Sequence, residues 1–292
     1  SIACRILGFS RQAYYQKTSD CEDKDNLVSE VLQKKAIAER KVCPTKGCRA
    51  MYERFGDSIP YGRDKSIKLL MQSGFRVKYP KRYGRATQSG TREFYNLLVN
   101  KTVTGINQVW QADMAHYLYG DRKYYDIYIT DVYSQEIVGY GAFNSNVALN
   151  YAQVLSNAIR SQSKFTGSLE GLIHHSDGGK QYESIYYKDL CSQYKIQQSM
   201  CMYSYENPYA EKTNDLIHNG YLNSWRPKTL QQLRKKKKKA VLDHNQNSKK
   251  KRLGNLSPLM FKSVILNNQL CPNAYHLMLK PTNPVQPRER IN

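Results

Sequence analysis

An α/β fold class is predicted for residues 101–226 on two observations. Three tyrosine-rich and β-branched segments follow one another between residues 108 and 143, and the stretches after them alternate helical spacing with short apolar runs. QVWQADMAHY, YYDIYITDVY and IVGYGAF are predicted strands, separated by polar turns near 120–123 and 134–136. Residues 148–161 place Tyr151, Val154, Leu155, Ala158 and Ile159 at helical spacing, which fits a crossover helix. GLIHHSD reads as an apolar strand ending at Asp177, where Gly178 and Gly179 let the backbone turn sharply. Residues 185–194 read as another helix and IQQSM as a short strand. Asn207 as N-cap and Pro208 at the first helical position open a helix predicted to run to about Trp225. Tyr209, Ala210, Thr213, Leu216, Ile217 and Leu222 form its largely apolar face, while Glu211, Asp215 and His218 fall at i, i+4 and i+7 on another.

Three carboxylates sit on these elements: Asp113 within the first strand, Asp177 at a strand end and Glu211 in the first turn of the last helix. Between them lie 63 and 33 residues. A long gap followed by one in the thirties is how integrase-type polynucleotidyl transferases order their DDE triad, and these element types describe an RNase H-like, retroviral-integrase-type core. Cleaving a phosphodiester builds negative charge on the attacking and leaving oxygens, which two divalent ions about 3.5–4 Å apart can stabilise. Magnesium, with manganese as substitute, prefers oxygen ligands, so a few carboxylates and the substrate phosphate suffice. Asp113, Asp177 and Glu211 are therefore the expected catalytic residues and ligands of two Mg2+ ions. Asp131, His175 and Asn207 are expected to support them. Asp131 is also the rival ligand on a neighbouring strand, and a satisfied strand-end histidine is the competing reading of His175. Taken singly, Asp177-Gly178-Gly179 is more often a turn than a metal site. The joint order, spacing and element types carry the assignment.

Several segments in register resemble the transposases of bacterial insertion sequences of the IS-three family, in the downstream-frame protein that carries the catalytic core. They are SRQAYYQ, YGRDKSIKLLMQSGFRV, NQVWQADM, YDIYITDVYSQEIVGYG, HHSDGGKQY, ENPYAEKTND and RLGNLSPLMF. The resemblance implies DNA-strand cleavage at transposon ends and strand transfer into target DNA, by in-line attack of water or a 3′ hydroxyl. It also implies a homo-oligomer that pairs DNA ends, and an upstream-frame protein or fusion, which Ser1 in place of Met would suit. Where the family usually carries Lys or Arg facing transposon-end DNA this chain has His218, and where it often carries Arg after Ser134 it has Gln135. By that position His218 is an expected DNA contact.

The 292 residues carry a net charge of +21, which points to a polyanionic partner, with DNA the obvious one. The charge is uneven. Residues 76–92 are basic without an acid, and 234–239 is an unbroken basic run. Arg76, Lys78, Arg82, Arg85, Lys235, Lys236 and Lys237 are accordingly expected at DNA, against the alternative of a solvated helix face for the second run. Most of the 24 tyrosines are expected in strands and core. No apolar stretch approaches the roughly 18 residues of a membrane span, and no signal peptide pattern opens the chain. A cytoplasmic, nucleoid-associated protein is expected, and seven scattered cysteines fit reduced thiols. Cys43 and Cys48 make only a weak zinc half-site, because no histidine precedes His116.

Residues 1–100 are expected to form a helical, helix-turn-helix-like DNA-binding region. In it Ser10 would cap RQAYYQK, 27–39 would form a helix, and 62–73 would form one closed by Gly74. The core is assigned to 101–226, a basic extension packing onto it to 227–270, and a poorly ordered, proline-rich tail to 271–292. Two competitors were weighed. A tyrosine recombinase needs His-x-x-Arg, and none of the six histidines is followed by Arg at the third position. A catalytically inactive DNA-binding regulator derived from a transposase shares the charge and the fold, and metal-dependent nicking separates it from the enzyme.

Overall fold

The computed structural model describes residues 8, 10–77, 93–201, 203–267 and 277–278. Lys78, Arg82 and Arg85 lie outside the described residues, as does the expected tail apart from Leu277–Met278. The chain divides into two compact units, residues 1–80 and 81–292.

In the first unit the described residues form three α-helices, α1 (Arg11–Val42), α2 (Cys48–Phe55) and α3 (Arg63–Gln72). The segments expected as two helices, one from Arg11 and one over 27–39, belong to a single one. TSDCEDKDN between them contains neither Pro nor Gly, so nothing breaks the backbone ladder. Leu32, Ala36, Cys48, Met51, Ile59 and Leu70 make its core. Gly74 closes α3 at φ +84°, and the Phe75 N–H returns to the Leu70 carbonyl at 3.0 Å. Cys43 and Cys48 are buried, and Cys48 Sγ donates to the Phe75 carbonyl at 3.1 Å.

The second unit is built on a five-stranded sheet. After a short β1 (Thr102–Val103), which pairs with β7 (Leu277–Met278), come β2 (Val109–Tyr119), β3 (Arg122–Asp131) and β4 (Ile137–Phe143). These three form an antiparallel meander. Helix α4 (Ala148–Thr166) then crosses to β5 (Ile173–Ser176), and α5 (Ile185–Gln193) leads to β6 (Gln197–Met200). The strand order is β4-β3-β2-β5-β6, with β5 parallel to β2 and β6 parallel to β5. This is an RNase H-like mixed sheet. Helix α6 (Pro208–Ile217) continues through a π-helical segment, His218–Leu222, into a last turn at Asn223–Trp225. The remaining helices are α7 (Leu230–Asn247) and α8 (Pro258–Leu266).

Side chains alternate across a strand, so each residue's register decides which face it joins. Trp110, Ala112, Ile127 and Ile129 share one face and pack with Tyr151, Val154, Leu155 and Ala158 of α4 in the main apolar core. Gly141 admits that helix: a Cβ there would stand 2.7 Å from Val154 Cγ2. Phe94 packs against this core, and Leu98 joins Val109, Ile173, Leu253 and Phe261 in a second cluster. RLGNLSPLMF thus contributes Leu253 and Phe261 to the same unit as the sheet. Strand β4 is a sheet edge, and α7 covers part of it. Asn245 exchanges two 3.0 Å bonds with the Ile137 backbone, while Lys237 and Arg234 donate to the Gly141 and Ala142 carbonyls. Among the described residues no helix is long and apolar enough to cross a membrane.

Candidate active site

The opposite face of the sheet is polar. Gln111, Asp113, Tyr128 and Thr130 share it by register, and α6 lies over it. Four contacts fix α6 there. Gln111 Oε1 accepts from the Tyr209 N–H at 2.9 Å, and Asn207 Nδ2 donates to the Ala112 carbonyl at 2.8 Å. The Thr130 and Thr213 hydroxyls stand 2.8 Å apart, and Asn214 Nδ2 donates to Asp113 Oδ2 at 2.6 Å. Asn207 therefore does not cap the helix with its side chain, as a sequence reading would have it. Its amide is committed to β2.

Register also brings Asp177 alongside. Ala112 pairs with Ser176 in the parallel β2/β5 ladder, so Asp113 and Asp177 are the next residues on neighbouring strands. Beyond Ser176 the chain turns, with the Gly179 N–H donating to Asp177 Oδ1 at 3.2 Å. Glu211 lies in the exposed first turn of α6, one helical turn before Asn214. Burial first, then the charge of Asp177 and more weakly that of Glu211, push the Asp113 carboxyl up to about 7 against the Met114 and Asn214 donors. Glu211 is raised as well, by burial and then by Asp215. An all-carboxylate donor set is what magnesium takes, and the charges on Asp177 and Glu211 act on Asp113. Among the described residues, no three His, Cys, Asp or Glu side chains stand close enough together to hold a metal ion.

The residues expected to support the triad divide. His175 is buried and its Nδ1 meets Ser199 Oγ at 2.8 Å, tying β5 to β6, and burial holds it neutral with a pKa lowered to about 4. Asp131 pairs with Trp110, not with Gln111 or Asp113, and so belongs to the other face. Its carboxylate accepts from the Asn107 and Ser134 N–H groups and from Ser134 Oγ at 2.9, 2.8 and 2.6 Å. Asp131 builds the β3–β4 turn and is no rival ligand.

Two expected DNA contacts are internal. His218 is 8% exposed, with Nε2 3.2 Å from Asp126 Oδ2 and its ring edge-on to Tyr117 and Tyr128. Lys237 is 1% exposed, with Nζ 2.9 Å from Asp126 Oδ1. The Lys237 contact is an ion pair, and neither contact has hydrogen-bond alignment at the carboxylate. Burial alone would raise the Asp126 carboxyl, but Lys237 and His218 hold it below its ordinary value. Burial draws Lys237 down to about 8 while Asp126 opposes the shift. At i+7 from Glu211 a helix residue stays near the same side, and here that side is closed by α7 and the sheet. Lys235 remains exposed, and Lys236 stands 5.1 Å from the Trp225 ring. Arg76 is exposed in the first unit.

Sequence reasoning passed over Gln111, Asp126 and Asn214. The signal for the first and last was present. Gln111 lies two residues before Asp113 on a strand, and Asn214 lies three after Glu211 on a helix.

Residues 104–203 match the integrase core domain family. The chain is 28% identical over 273 residues to an uncharacterized 31 kDa protein of insertion element IS600 from Shigella sonnei, covering 89% of this chain and 97% of that one. It is 27% identical over 124 residues to a candidate transposase for insertion sequence element IS986/IS6110 from Mycobacterium tuberculosis, covering 41% of this chain and 45% of that one. Among solved structures, the HTLV-2 integrase catalytic core domain in complex with magnesium aligns at 20% identity and a TM-score of 0.41, over 57% of this chain and 99% of that one. Residues 104–203 match an integrase core domain, and the chain is similar to proteins of bacterial insertion sequences.

Proposed function

We propose that this chain is a DDE-type polynucleotidyl transferase that cuts DNA strands at transposon ends and joins them to target DNA. The observation that carries the reading is the register that sets Asp113 beside Asp177 on neighbouring strands, with the helix that bears Glu211 fixed to Asp113 through Asn214. Asp113, Asp177 and Glu211 would hold the divalent ions once ion and substrate draw the three carboxylates together, since in the present arrangement they stand too far apart to share one. Bound magnesium supplies charge stabilisation for the attacking and leaving oxygens.

The chain's own residues do the positioning. Gln111, Asn207 and Thr213 fix α6 against the sheet, so Glu211 keeps a defined place relative to β2. Asn214 donates to Asp113 Oδ2, which favours the ionised carboxylate and leaves Oδ1 for another ligand. The net charge of +21 attracts the DNA and makes its binding salt-dependent. Two DNA ends must meet for transposition, so an oligomer assembled on DNA accompanies this reading, as does an upstream-frame partner or fusion.

Asp177→Asn tests it. Strand cleavage of a duplex carrying the element's end should vanish while salt-sensitive binding persists. Equal cleavage by the variant overturns the assignment, and binding without cleavage by the native chain favours an inactive regulator.

A further inference from the structure

One cleft on the far side of α6 takes no part in the triad. It is lined by Tyr209, Lys212, Thr213, Gln135, His244 and Lys250, among others, and its accessible volume of ≈ 10 Å³ is room for roughly one water. Its chemistry is lopsided. Among the described residues no carboxylate lies within ion-pair distance of Lys212 or Lys250, although Lys250 is half-buried. Arg252 adds a third cation nearby, its guanidinium meeting the Tyr209 hydroxyl.

The cleft also holds a buried polar atom without a partner. His244 Nε2 faces the Gln135 carbonyl at 3.0 Å, and a carbonyl only accepts, so Nε2 carries the proton. Nδ1 is then a bare acceptor, buried and without a hydrogen-bond partner among the described residues. Burial and then the charge of Lys250, with a smaller share from Lys212, hold the imidazole neutral against the Gln135 carbonyl and the Asp243 carboxylate, which places His244 and both lysines in one electrostatic neighbourhood. Burial and then Lys212 likewise draw Lys250 down to about 8. A half-buried ammonium on Lys250 beside an orphaned acceptor is unfavourable in a folded chain, and a bound oxyanion with a bridging water satisfies both, with exposed Lys212 adding its charge at the rim.

We propose that Lys212 and Lys250 together grip one phosphate of the DNA backbone, with a water in the deep end of the cleft donating to both His244 Nδ1 and the phosphate. The assignment of that phosphate to DNA rests on the transposase reading. Lys212 follows Glu211 directly, so α6 would present a metal ligand and a phosphate grip about 100° apart around its axis.

The test uses the full chain with EDTA present, so that no cleavage step enters. Lys250→Gln should raise the unfolding midpoint of the ligand-free protein by about 2 °C, because it removes an uncompensated charge, yet weaken duplex binding about tenfold. Lys212→Gln should weaken binding to a similar extent. Each should lower the slope of log affinity against log salt by up to about 0.9, and the double variant by no more than either single one, since one phosphate is shared. Inorganic phosphate should stabilise the native chain and not Lys250→Gln. Native duplex affinity and slope in folded Lys250→Gln overturn the proposal. Stabilisation by inorganic phosphate with duplex binding untouched overturns its DNA part and leaves a free-phosphate site. A native chain that binds no duplex at any salt fails the transposase reading instead, and the phosphate titration still decides the cleft.

Discussion

The two faces of the central sheet differ in chemistry although they are made by the same strands. One face carries Trp110, Ala112, Ile127 and Ile129 under α4 and is held by apolar contact. The other carries Gln111, Asp113, Asp126, Tyr128 and Thr130 under α6 and α7, and is held by directed bonds and one buried ion pair. Apolar packing tolerates small adjustments, whereas directed bonds fix positions to a fraction of an ångström. The face that needs exact placement of a carboxylate is the one built from hydrogen bonds.

Four experiments break or sharpen this contrast. The largest effect is expected on the polar face. Lys237→Ala leaves Asp126 buried and short of its main counter-charge, which should cost about 3–5 kcal/mol in urea unfolding. Replacing both partners, as Asp126→Leu with Lys237→Met, should restore much of the loss. If the double variant is as unstable as Lys237→Ala alone, the pair is not what holds α7 to the sheet. On the apolar face Ile129→Ala should cost about 2–5 kcal/mol through a cavity beneath α4, while DNA affinity of the protein that remains folded stays native. A selective loss of affinity there would erase the distinction between the faces.

Acid separates them next. Burial holds His174 and His244 neutral, with pKa values lowered to about 3, whereas an unfolded histidine titrates near roughly 6.5. The unfolded chain takes protons that the folded one refuses, so this stability is complete above about pH 6.5 and declines as pH falls toward about 3. Each histidine adds about 1.4 kcal/mol per pH unit to the decline, and His174→Gln should flatten it by one such share. The raised Asp113 and Asp131 carboxyls pull the total profile the other way, so the difference between the two proteins is what decides: equal slopes for native and His174→Gln between pH 6 and 4, in about 0.1 M salt, would contradict the burial of this ring. The smallest effect concerns two neighbours in one basic run. Lys235→Ala should leave the unfolding midpoint unchanged and lower the salt slope of DNA binding by about 0.9. A drop in midpoint like that of Lys237→Ala would mean the two lysines do not face opposite ways.

Much of this was legible in the residues. Periodicity located β2 to β6 and α4 to α6 to within a few residues, because strands between polar turns and an Asn-Pro helix start leave little freedom. The element of each acid is legible as well: Asp113 lies within a strand, Asp177 just past one and Glu211 in the first turn of a helix, while their joint role is the proposal. The basic run was misread at Lys237 and the helix face at His218, since both are buried by a long-range partner, Asp126, that no local pattern announces. Asp131 was misread for a simpler reason. Its distance from Asp113 in register has the wrong parity, and only the strand pairing reveals that. The absence of a break between 18 and 26 was readable, yet two short apolar patterns drew attention from the polar residues joining them.

The most direct test of the central claim is nicking of a labelled duplex carrying the element's own end sequence, with magnesium, with manganese and with EDTA. It compares the native chain with Asp113→Ala, Asp177→Ala and Glu211→Ala. The account predicts cleavage by the native chain that requires the divalent ion and is lost in all three variants, with duplex binding in EDTA retained. Cleavage that survives in any one of the three, or that proceeds in EDTA, would contradict it.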